Sequence, residues 1–104
     1  MIQLTVTPRA RDNLYRLMVA KELDLRRRRR GTLHRSGPKR AGREKWTHAS
    51  FPGRIDLQRG VDSTLAATVR SRPDIEWKLL TSLIGFLHRH FRERISTVTI
   101  KYDR

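Results

Sequence analysis

Residues 2–7 alternate apolar and polar side chains, with Ile2, Leu4 and Val6 set against Gln3, Thr5 and Thr7. A period of two predicts a half-buried strand with the apolar row facing inward. Thr7 followed by Pro8 has the chemistry of an N-cap and a first helical residue. Leu14, Leu17, Met18 and Leu25, with Tyr15 and Val19 at the margin, predict a helix from about Pro8 to Leu25. After a turn at Pro52-Gly53, residues 54–58 and 64–70 predict two short strands separated by Gly60, Asp62 and Ser63. Their inward rows are Ile55 and Leu57, then Leu65, Ala67 and Val69. Arg72-Pro73-Asp74 and Glu76 suit the start of a second helix, where proline and acids are favoured. At 100° per residue its apolar arc is Trp77, Leu80, Leu83, Ile84, Leu87, Phe91 and Ile95, with Lys78, Arg89, Arg92 and Glu93 opposite. Residues 97–102 close the chain as a last strand with Val98, Ile100 and Tyr102 inward.

The resulting order, β-α-β-β-α-β, is that of a ferredoxin-like split βαβ domain of the α+β class. Two helices are expected on one face of a four-stranded antiparallel sheet, in a single domain over residues 1–104. Residues 26–50 interrupt this order. Gly31, Ser36-Gly37-Pro38 and Gly42 punctuate a segment without periodicity, so a long basic loop, functional or disordered, is expected between the first helix and the second strand. A short hairpin pairing residues 32–35 with 46–49 is the competing reading.

Charge gives this segment its interest. Residues 26–45 hold ten of the 24 basic side chains and one acid, Glu44, and so carry nine of the fourteen net positive charges. The remainder is a mildly basic body. Five consecutive arginines, Arg26 to Arg30, are too concentrated to be buried and must be solvated or neutralised by a polyanion, of which nucleic acid is the commonest inside cells. Arginine outnumbers lysine 19 to 5, a bias that a GC-rich genome would spread along the chain but would not cluster.

Other chemistry is sparse. The chain has no cysteine, which removes disulfides, thiol nucleophiles and thiolate metal sites and favours a reducing, cytoplasmic setting. No signal-peptide pattern follows Met1, and the apolar stretch 79–87 is too short to cross a bilayer. A membrane-surface role is disfavoured too, because no lipid anchor or amphipathic apolar face adjoins the basic segment. The sequence from Gly31 to Lys39 superficially resembles a phosphate-binding loop, but its glycine spacing is wrong, Pro38 takes the lysine position and no Ser/Thr follows Lys39. His88 and His90, two apart on a helix, point about 200° from one another and cannot close on one metal ion. RNA-recognition motifs share the expected strand order but carry aromatics on the outward positions of strands one and three. Here those positions are Gln3, Thr5, Thr7, then Thr64, Ala66, Thr68 and Arg70.

These observations predict a non-enzymatic protein with no cofactor, metal or catalytic set, binding nucleic acid, RNA in preference to DNA, by phosphate contacts. The expected binding residues are Arg26, Arg27, Arg28, Arg29, Arg30, Arg35, Lys39, Arg40, Arg43 and Lys45, with Trp46 beside them to stack a base. The alternative is an interaction module that dimerises through Leu79, Phe86 and His90, on the margin of the second helix, with a merely solvated basic loop.

Overall fold

The structure, a computed structural model, describes residues 1–40 and 42–102, the side chains of residues 38–40 excepted. In chain order it has β1 (Ile2–Pro8), α1 (Leu14–Arg27), β2 (Leu33–Arg40), β3 (Arg43–His48), β4 (Arg54–Arg59), β5 (Leu65–Arg70), α2 (Glu76–Phe91) and β6 (Ile95–Tyr102). The six strands form one antiparallel sheet in the order β2-β3-β4-β5-β1-β6. The fold is α+β with two helices, but the sheet is six-stranded and not the four-stranded ferredoxin-like sheet expected. The extra two strands come from the basic segment. Leu33 pairs with His48, His34 with Thr47, Arg35 with Trp46 and Ser36 with Lys45, and β3 then joins β4. The expected loop is therefore a hairpin that extends the sheet beyond β4.

Alternation sorts the sheet into two faces. Ile2, Leu4, Val6, Ile55, Leu57, Leu65, Ala67 and Val69 form a buried inner row, each no more than 2% exposed, and Trp46 and Leu33 continue it onto the hairpin. Both helices contribute to the same core, through Leu14, Tyr15 and Met18 of α1 and Leu79, Leu80, Leu83, Phe86, Leu87 and Phe91 of α2. The outer face carries no helix and is polar. One ladder of neighbours runs across it from Ser36 through Lys45, Asp56, Thr68 and Gln3 to Lys101.

Several expected boundaries move. Pro8 ends β1 opposite Ile95 after a register shift, and α1 begins six residues later, where the Asn13 side chain accepts from the Arg16 N–H at 3.1 Å. The core side of α2 is rotated from the expected arc: Leu79 and Phe86 are buried, Trp77 is 55% exposed, and Ile95 belongs to β6. The hairpin is the cause, because Trp46 meets the Phe86 ring edge-on at 5.8 Å and turns that flank of the helix into core. Gly53, at φ 105°, fits its turn only as glycine, since a Cβ there would lie 2.5 Å from the Arg70 carbonyl oxygen.

The last strand has the expected alternation without the expected burial. Val98, Ile100 and Tyr102 lie beside Val6, Leu4 and Ile2, yet are 37%, 36% and 68% exposed. Inward orientation buries a side chain only where a helix lies above it.

Candidate nucleic-acid interface

The arginine run begins inside α1. Arg26 and Arg27 form its last turn, where cations complement the negative end of the helix dipole. Arg29, at φ 54°, closes the helix: its N–H reaches the Arg26 carbonyl at 3.1 Å, and the Arg30 N–H reaches that of Leu25 at 2.8 Å. This pair of bonds is a Schellman motif, whose left-handed residue is usually glycine, and arginine there costs on the order of 1 kcal/mol. The run is thus displayed on a hydrogen-bonded helix end.

Buried Glu22 ties this end to the sheet edge. Its carboxylate receives the Arg26 Nε–H at 3.0 Å and the Arg35 backbone N–H at 3.4 Å, and lies 3.2 Å from His34 Nδ1. Arg26 Nη2 also donates to the Arg35 carbonyl at 2.8 Å, and Arg28 Nε lies 3.4 Å from Asp24. Arg26 and Arg28 are therefore partly neutralised within the chain. Arg27, Arg29 and Arg30 are exposed and have no carboxylate partner among the described residues.

The remaining expected residues divide. Arg35 turns inward and pairs with Glu44, both side chains being less than a tenth exposed. Beside them, burial and then the Glu44 carboxylate push the Tyr15 phenol up to about 12. Trp46 is 1% exposed and packed on Phe86, so its indole has no free face for a base. Lys39 and Arg40 lie in β2, with side chains outside the described residues. Arg43 and Lys45 stand on the outer face, where they line a shallow basin of about 500 Å³ with Arg54 and Arg70. Asp56 sits in this basin, 2.8 Å from Arg70 Nε and 3.3 Å from Arg54 Nε. Four cations thus surround one described carboxylate side chain on the open face.

Arg54 and Arg70 escaped the sequence reading because neither lies in the charge run. The available signal was their hairpin register: at opposite ends of the two strands, Arg54 pairs directly with Arg70. Glu22 escaped because an acid reads as solvent-facing, although its position one turn beyond Met18 and one turn before Leu25 puts it on the apolar face of α1. Arg89 was also missed; it joins Arg30 on the rim of a groove of about 430 Å³ between α2 and the end of α1. Gly85 lines this groove where a Cβ would meet nothing within 4 Å, so space there does not demand glycine.

The histidines are engaged locally. His48 stacks on Phe51 at 4.4 Å between ring centres, its Nδ1 accepts from the Ser50 N–H at 2.9 Å, and burial lowers its pKa. His90 packs edge-on against Phe86 at 4.8 Å; burial and then the charges of Lys21 and Arg89 lower its pKa. Among the described residues, no group of three or more His, Asp or Glu side chains is placed to hold a metal ion, and no helix is long and apolar enough to cross a membrane.

Comparison with protein-family models, with curated proteins and with solved structures finds no match.

Proposed function

We propose that this chain binds nucleic acid, RNA in preference to DNA, along the cationic end of the sheet, without catalysis. The observation that carries this reading is the display of Arg27, Arg29 and Arg30 on a fixed helix end with no carboxylate partner among the described residues. A solvated charge run needs no such display, and a residue in the left-handed region is tolerated where it serves an exposed function. Arg43, Lys45, Arg54 and Arg70 continue the positive surface on the outer face of the same end. Guanidinium forks pair with phosphate oxygens and stack on unpaired bases, which structured RNA presents in loops and bulges. Trp46 and Arg35 have no part in this contact; they hold the hairpin that carries Arg43 and Lys45. Weak sequence selectivity follows, since phosphate contacts position a protein without reading bases.

Titration of single-stranded RNA, structured RNA and duplex DNA at two salt concentrations tests the reading. Arg27, Arg29 and Arg30 exchanged together for glutamine should weaken binding to unrelated RNAs by a similar factor. The slope of log K against log salt should flatten by roughly 0.7 for every phosphate on a single strand that is no longer neutralised. An unchanged affinity and slope would refute it.

A further inference from the structure

We propose that two copies of this chain pair antiparallel through β6, joining their sheets into one twelve-stranded sheet about a two-fold axis. β6 is an edge strand eight residues long whose one neighbour among the described strands is β1. An edge strand presents a row of backbone donors and acceptors that templates another strand, and proteins ordinarily blunt such edges with proline, charge, bulges or a covering element. The opposite edge is blunted in these ways. β2 contains Gly37-Pro38, its register with β3 breaks between Ser36 and Arg40, and it lies in the basic segment. β6 has no proline or glycine, Lys101 is its single charged residue, and its one register shift against β1, between Ile95 and Thr97, leaves residues 97–102 regularly paired.

The side chains agree with the backbone. Five of the six exposed large apolar residues, Met1, Trp77, Val98, Ile100 and Tyr102, belong to this side of the molecule. Ile2 stands opposite Tyr102, and the Met1 ammonium lies 3.1 Å from Glu76, the neighbour of Trp77, so the two exposed rings flank the same end of the sheet. On α2, Trp77 and Ile84 occupy the flank away from Ser82, Gly85 and Arg89, which line the groove toward α1. The uncovered inner face of β6 therefore runs beside an apolar helix flank, forming a strip that a second copy would cover.

The self-complementary edge makes a second copy the occupant, and the charge distribution permits it at this edge. Each chain carries +14, so self-association is opposed everywhere except where the cationic ends stay far apart. Pairing through β6 does this: with about 4.8 Å between neighbouring strands, the two β2 edges end roughly 50 Å from one another, several Debye lengths at physiological salt. An antiparallel edge is also self-complementary about a two-fold, so both patches are satisfied by the same contact. The opposite edges remain free for a polyanion.

Sedimentation of the full chain in moderate salt should give a mass that rises with concentration toward twice 12.3 kDa. Changing Val98 and Ile100 together to lysine should return it to the monomer mass with unchanged circular dichroism. Because the chain has no cysteine, single cysteines at Thr99 and, separately, Thr47 can carry nitroxide labels. In the dimer the Thr99 labels should lie within about 20 Å of each other and the Thr47 labels about 40 Å apart, nine strand spacings across the joined sheet. A wild type that stays monomeric at the highest attainable concentration overturns the proposal. A dimer whose Thr47 labels are the closer pair does so too, and that readout stands even where the lysine variant fails to fold.

Discussion

The two edges of this sheet are built on opposite plans. At the β2 edge the inward positions Arg35 and Glu44 are charged and satisfied by one another, Glu22 fastens the strand to α1, and unpaired arginines face water. At the β6 edge the inward positions Val98, Ile100 and Tyr102 are apolar and left without a cover. The first edge uses its polar groups within the chain and displays surplus charge; the second leaves its backbone and apolar groups unsatisfied. A patch of unsatisfied apolar surface seeks protein, whereas a surplus of cations seeks a polyanion. On the two proposals above, the difference would give the two ends separate partners.

The comparison breaks most sharply at Trp46. If the cationic edge is an integral part of the domain, its indole is a core residue, and Trp46→Ala should cost about 3–5 kcal/mol as large-to-small changes at filled core sites do. A denaturant titration measures this. A loss under about 1 kcal/mol would make the hairpin an appendage whose melting leaves the body folded, and Arg43 and Lys45 would then ride on a tether.

Much of the inner face was legible beforehand because strand alternation reports orientation directly. Ile2, Leu4 and Val6, like Leu65, Ala67 and Val69, face and fill the core as their pattern predicts. The hairpin pairing residues 32–35 with 46–49 was legible only as the competing reading to a loop, for a physical reason. Its inward row reads Leu33, Arg35, Glu44, Trp46, and two charges that neutralise each other in space look like solvent-facing residues in sequence. Thr7-Pro8 misled because proline is equally at home at a strand end and at a helix start, and the deciding cap, Asn13, lies after three further charged residues, Arg9, Arg11 and Asp12. Of the interface, the arginine run was legible as charge; that Arg26 and Arg28 are held by Glu22 and Asp24, and that Arg54 and Arg70 join the surface, needed the register and the helix end.

A smaller change sharpens the comparison at its fastening. Glu22 is buried and accepts from both Arg26 and the Arg35 backbone, so Glu22→Ala strands a backbone N–H and frees a guanidinium. Breaking a buried pair costs about 3 kcal/mol or more, less here because the Arg26 side chain is half exposed. Hydrogen exchange should localise the loss, with amides of β2 losing protection before those of β1. Equal acceleration in both strands would show that Glu22 supports the whole core and not one edge.

The mildest perturbation is pH, and it too should discriminate between the ends. His48 lies on β3 and His90 packs on Phe86, so both titrate on the hairpin side, and both have a pKa lowered by burial from the ordinary 6.5. The unfolded chain therefore binds protons more readily than the folded one. Their contribution to stability is complete above about pH 6.5 and is lost as pH falls through the lower folded values. Between pH 7 and 5 the denaturation midpoint should drop, and replacing both histidines by glutamine should flatten that dependence. Exchange protection should decline first in β3, while β6, whose described side chains include no histidine or acid, holds until global unfolding. Acid sensitivity that begins in β6 would contradict the division of the sheet into a charge-tuned edge and an apolar one.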